Sequence, residues 1–149
     1  DGLTETRRAI EALRGQALPL PEGLAELSTD HELRHGVAVR FAISGESRLL
    51  PPEAQVAITR TAAEALVNAA KHAPDQPVEI SLDYRPGTTS LIVRNHLGTG
   101  APAGRGARFA TANGNYGLAG LRERLLLLDG TLAAGPDGRQ WAVTATVPQ

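Results

Sequence analysis

Cysteine and methionine are both absent from the 149 residues. Without thiols there is no disulfide, no thiolate zinc site and no cysteine nucleophile, although the redox compartment stays open. An excess of basic charge is missing too: 15 Lys and Arg stand against 16 Asp and Glu, a net charge of -1. A nucleic-acid-binding module normally carries a basic excess, so no nucleic-acid partner is expected. No apolar run approaches the ~20 residues of a spanning helix, Leu125 to Leu128 being among the longest. No signal peptide is visible. Lysine is nearly absent, with Lys71 alone among the basic residues and arginine at every other basic position. A lysine that survives in such a background is a candidate for a specific role. What remains is 42% apolar and 21% charged, the balance of one globular domain. A chain of this size buries roughly 68–70% of its unfolded surface. It begins at Asp1 and is expected to be a piece of a longer protein.

Along the chain, Leu3, Ile10 and Leu13 fall on one narrow stripe that predicts a helix over 3–14, with Gly15 as its stop. Pro19 and Pro21 mark a linker, taken to run over 16–35. His31 and His35 fall within it and read as ordinary surface residues. Residues 36–44 (GVAVRFAIS) alternate as a strand does. Pro51-Pro52 opens a long helix reaching about His72, and Pro74 and Pro77 close it. Strands are predicted over 78–84 and 89–95, joined by Arg85-Pro86-Gly87. The Gly- and Ala-rich stretch 96–116 has almost no periodicity and reads as a functional lid, with His96 at its hinge. A helix over 117–128 and a final hairpin, 131–134 with 140–147, complete the order. Strand, helix, hairpin, lid, helix, hairpin implies an α/β (α+β) two-layer sandwich, a mixed sheet with helices on one face.

The long helix carries the first chemical signal. Rotated by about 100° per residue, Val56, Ala62, Ala63, Leu66, Val67 and Ala70 gather on one side. Arg60, Thr61, Glu64, Asn68, Lys71 and His72 gather on the other, within roughly 120°. Contact with water is the commonest reason for such a face. Asn and His are mediocre helix formers, however, and a face built only for solubility would prefer Glu, Lys or Arg. A carboxylate, an amide oxygen, an ammonium and an imidazole together suit a polyphosphate with a divalent metal. Mg²⁺ takes oxygen ligands and keeps several waters, so one Asn carbonyl plus phosphate oxygens is a credible shell. Glu64 can accept a proton.

The second signal is Asn115-Tyr116-Gly117-Leu118-Ala119-Gly120-Leu121-Arg122-Glu123-Arg124, two glycines three apart where a loop becomes a helix. Amide groups at a helix start hold phosphate, and glycine lets a ligand approach closely. Tight packing alone would also account for an isolated pair of this kind. Taken together, the segments resemble a known family. Residues 64–73 (EALVNAAKHA) look like the N box of sensor histidine kinases. Residues 117–124 (GLAGLRER) look like their second glycine box in its nitrate-sensor-subfamily form, and 93–100 (VRNHLGTG) falls where the first one stands. The match covers 36–149 in order and spacing, and 1–15 resembles the tail of the dimerisation helix that precedes the catalytic domain.

The resemblance implies a Bergerat-type ATP-binding domain over 36–149, with ATP and Mg²⁺ as cofactors. Asn68 would ligate Mg²⁺, and Glu64 would orient or deprotonate the phosphate acceptor. Lys71 and His72 would face the phosphates, and Gly117, Leu118, Gly120 and Leu121 would present backbone donors around them. Asn95, Gly98 and Gly100 would form the base end of the site. Apart from the resemblance, Arg105 and Arg108 are expected to add charge from the lid. The implied reaction passes the γ-phosphoryl to a histidine on the parent's dimerisation helix, for relay to a response regulator. That parent is expected to be a homodimer, membrane-anchored or not, with this domain cytoplasmic and monomeric when isolated. Three departures from the family pattern stand out. Asn95 replaces the Asp that opens the first glycine box, with the Gly-x-Gly displaced by one residue. Gln140-Trp141 replaces the Gly-Thr pair of the last hairpin. No acceptor-histidine motif is present. An anti-sigma-factor serine kinase of the same fold and a degenerate regulatory domain are the alternatives; the Leu-Arg-Glu-Arg after the glycine box favours the histidine kinase.

Overall fold

The computed structural model describes residues 18–97 and 114–148. Helix α1 spans Leu20–His35, β1 Val39–Ser44, α2 Pro52–His72, β2 Val78–Arg85 and β3 Thr88–His96. Helix α3 spans Gly114–Leu127, and β4 Thr131–Asp137 pairs with β5 Gln140–Pro148. The five strands form one mixed sheet in the order β1-β2-β3-β5-β4, with β1 parallel to β2 and every other pairing antiparallel. Alternation explains the layering. Val78, Ile80, Leu82 and Tyr84 of β2 are buried, as are Leu91 and Val93 of β3 and Val143, Ala145 and Val147 of β5. Their neighbours on the other face are half-exposed. Helix α2 packs on β2, β3 and β5, α3 on α2 and β4, and α1 on α2 and β1. The α/β two-layer sandwich with helices on one face is therefore the observed fold.

One segment differs from its sequence reading. Residues 20–35 are a helix where a linker was expected. Pro21 takes a first-turn position, where a missing N–H costs nothing, so the prolines begin a helix instead of preventing one. Leu20, Leu24, Ser28 and His31 form its buried stripe, and Gly36 ends it in the left-handed region at φ 65°, its N–H donating to the Glu32 carbonyl at 2.9 Å. His31 is accordingly a buried residue, its ring 4.6 Å from that of His35 one turn on. Burial, then the neighbouring His35, holds the His31 imidazole below its ordinary pKa, against the opposing pull of Asp30 and Glu32. The expected helix over 3–14 lies outside the described residues.

Candidate nucleotide site

Helix α2 is built as predicted in extent but rotated by roughly a third of a turn about its axis. Its buried residues are Ala54, Ala57, Ile58, Thr61, Ala62, Ala65, Leu66, Asn68 and Ala69. Val67, expected in the core, is 46% exposed, whereas Thr61 and Asn68, expected on the polar face, are 0% and 3% exposed. The physical reason is the alanines. Ala54, Ala57, Ala65 and Ala69 let the helix backbone lie close to the sheet, and that close approach outweighs the bulk of Val67. Counting only large apolar residues hid the buried side.

The rotation changes the meaning of the polar residues. Glu64, Asn68 and Lys71 still follow one another along a single stripe, at i, i+4 and i+7. Lys71 is exposed, Glu64 and His72 are half-buried, and Asn68 is enclosed. The Asn68 Oδ1 is buried and accepts no hydrogen bond among the described residues. Leaving such an atom without a partner costs about 1–3 kcal/mol. An amide oxygen held in this way, beside a carboxylate and an ammonium, suits a hard cation that carries its own phosphate and water ligands.

The glycine box meets this stripe directly. A Cβ built on Gly117 would lie 2.6 Å from both Cδ and Oε1 of Glu64. Only glycine allows α3 to approach the carboxylate so closely. Gly120 has open space beside it, Leu118 is buried in the core and Leu121 packs on its edge. Because α3 starts at Gly114 instead of Gly117, the amides of Leu118, Gly120 and Leu121 lie beyond the first turn, where helical bonding takes them up. The Gly117 amide is the first to bond within the helix, so the amides left to face a ligand are those that precede it at the helix start. Arg122 of the same motif has a structural task, its Nε donating to the Leu132 carbonyl at 3.1 Å and tying α3 to β4.

Topology brings the remaining groups to the same end of the sheet. Helix α2 ends at His72 and Val78 already pairs in the sheet, so the row Val39, Val78, Asn95 and Trp141 lies at the end of the sheet to which the C-terminus of α2 connects. Asn95 is 3% exposed on the helix-facing side, and its Nδ2 donates to the His96 carbonyl at 3.2 Å. The exposed His96 ends β3, with its Nε2 3.3 Å from Nε2 of Gln140. The structure thus brings Gly117 onto Glu64, in the same helical stripe as Asn68 and Lys71, and sets Asn95 at the end of the sheet that the chain enters from the C-terminus of α2. Gly98, Gly100, Arg105 and Arg108 lie outside the described residues. Trp141, visible in the sequence only as a departure from the family pattern, is set opposite Asn95 by the β3–β5 register.

No protein-family model matches the chain. Among curated proteins it is 28% identical over 134 residues to the signal transduction histidine-protein kinase/phosphatase DegS of Brevibacillus brevis, covering 87% of this chain and 33% of that protein. Its identity to DegS of Bacillus subtilis is 30% over 112 residues, 71% of this chain and 27% of that protein. The chain therefore spans about a third or less of the length of the curated relatives it matches. Among solved structures, the catalytic domain of histidine kinase ThkA superposes with a TM-score of 0.66 at 13% identity, covering 87% of this chain and 89% of that one. Similar sequence over most of the chain, on the architecture of a histidine kinase catalytic domain, places this chain in the sensor histidine kinase family as its catalytic domain.

Proposed function

We propose that the domain binds Mg-ATP and passes the γ-phosphoryl group to a histidine on a dimerisation helix of its own parent chain, in the cytoplasm where ATP is supplied. The observation that carries this reading is the enclosed, unpartnered Asn68 Oδ1, set one turn from a carboxylate that presses on a glycine. Asn68 would hold Mg²⁺, and the metal would supply charge neutralisation on the phosphate oxygens. Lys71 adds positive charge along the same stripe, and the first-turn amides of α3 face the phosphates. Asn95, with Nδ2 committed to the His96 carbonyl, keeps Oδ1 to accept from the adenine amino group. Glu64 orients the acceptor imidazole and takes the proton it sheds as the N–P bond forms and ADP leaves. Positioning and charge neutralisation do most of the work in such transfers. From the parent's histidine the phosphoryl group would go on to a response regulator.

The test uses radiolabelled ATP. The domain alone is expected to remain unlabelled, and adding the separate dimerisation region of its parent restores labelling on histidine. Glu64→Gln depresses that labelling and leaves ATP affinity unchanged. Self-labelling of the isolated domain on serine would move the reading to an anti-sigma-factor kinase. Absence of ATP binding would make it a regulatory domain.

A further inference from the structure

The two residue-level departures from the family pattern are neighbours in space. Asn95 stands opposite Trp141 across the β3–β5 pairing, and His96 stands opposite Gln140. Residues directly opposite on antiparallel strands have Cβ atoms about 4.5–5.5 Å apart, on the same face of the sheet. Asn95 and Trp141 both belong to the buried, helix-facing side, each 3% exposed. The row they occupy includes Val78, where the chain enters the sheet shortly after α2 ends at His72. The remaining buried positions of β5 are Val143, Ala145 and Val147, so the strand's large aromatic ring falls at the site end and nowhere else. An indole and an amide stand side by side there, both enclosed, a flat apolar ring next to a hydrogen-bonding group. A purine presents the complementary pair: a flat aromatic face and a polar rim.

We infer that Trp141 is a specificity-determining residue that forms one wall of the base end of the nucleotide site and acts together with Asn95. The base is selected by packing against the indole as well as by the amide. This rests on the Mg-ATP reading above and deepens it. Stacking of a base on an aromatic side chain is worth enough to change affinity about tenfold or more. A carboxylate at position 95 would accept from the base with a full negative charge, whereas the Asn95 Oδ1, its Nδ2 held by the His96 carbonyl, is a weaker neutral acceptor and so leaves more of the selection to the ring beside it.

The experiment compares ATP, GTP and inorganic tripolyphosphate by calorimetric titration under identical Mg²⁺ and salt. It uses the wild type, Trp141→Phe, Trp141→Thr and Asn95→Asp. Trp141→Thr is expected to weaken ATP about tenfold and leave tripolyphosphate unchanged, because only the base meets the ring. Trp141→Phe keeps most of the ATP affinity. Asn95→Asp widens the ATP-over-GTP preference, and Trp141→Thr made in that background changes the ATP affinity by a different factor than it does alone. Trp141 is the chain's single tryptophan, so its emission in the wild type should respond to ATP and not to tripolyphosphate. If Trp141→Thr weakens ATP and tripolyphosphate equally, the residue is only a core filler and the inference falls while Mg-ATP binding stands. Unchanged ATP affinity overturns it too. A wild type that binds none of the three ligands overturns the functional reading itself.

Discussion

Two buried polar residues on α2, seven positions apart, are treated in opposite ways by the fold. In the first half of the helix, Thr61 is wholly enclosed and its Oγ1 donates to the Ala57 carbonyl at 2.8 Å. In the second half, Asn68 is nearly as enclosed, and its Oδ1 has no partner among the described residues. The first hydroxyl is satisfied within the helix and belongs to the architecture. The second is held at an energetic cost that the fold alone does not explain, and such costs collect where a ligand is to be met. Orphaning by itself is not the signal. Among the described residues, Tyr84 Oη and Thr89 Oγ1, opposite one another at the far end of β2 and β3, are also buried without partners, yet no described motif residue pairs with them in the sheet. Asn68 differs in sharing its stripe with Glu64 and Lys71.

The contrast predicts its own test. Asn68→Ala should reduce phosphoryl transfer by about 100-fold or more, since even an outer-shell partner of a metal site is worth 10- to 100-fold. Its thermal midpoint should not fall, because the substitution removes an unsatisfied group instead of a bond. Gly117→Ala follows in size. Its new Cβ displaces the Glu64 carboxylate, which can swing away without unfolding the domain, and transfer slows by roughly 10- to 100-fold through misplacement. ATP affinity falls less. Thr61→Ala is the mirror image of Asn68→Ala: about 1–2 kcal/mol of stability is lost from a broken bond and a small cavity, and nucleotide affinity is unchanged. Chemical denaturation beside an ATP titration reads both quantities.

Much of this was legible in the sequence, and the exceptions have physical causes. Both central hairpins and the extent of α2 follow from strand alternation and from prolines at helix ends. The fold class followed from their order. The face of α2 did not, because alanine carries little weight in a hydrophobic stripe although it decides how near a helix can lie to a sheet. Helix α1 was hidden for a related reason: Pro19 and Pro21 read as a linker, while Leu20, Leu24 and His31 already held helical spacing. Glu64, Asn68 and the glycine pair were visible through their motifs. The juxtaposition of Asn95 with Trp141 was not, since it depends on register across strands separated by more than forty residues.

A smaller effect sharpens the comparison with a third kind of buried polar group. His31 has its pKa lowered by burial and by His35, so the folded state binds fewer protons than the unfolded chain in the range just below the ordinary imidazole value. Its contribution is fully present above about pH 6.5 and is lost as pH falls through the lowered folded value. The thermal midpoint should therefore drop on acidification below that point, and His31→Leu should flatten the drop. Nucleotide affinity should not follow it.

The most direct measurement is a calorimetric titration of ATP into the wild type and Asn68→Ala, each with and without Mg²⁺. The account predicts binding to the wild type that is strengthened by the metal, and no metal-dependent gain in Asn68→Ala at an undiminished melting temperature. An Asn68→Ala protein that binds ATP as the wild type does, with the same gain from Mg²⁺, would contradict the assignment of Asn68 and with it the nucleotide site.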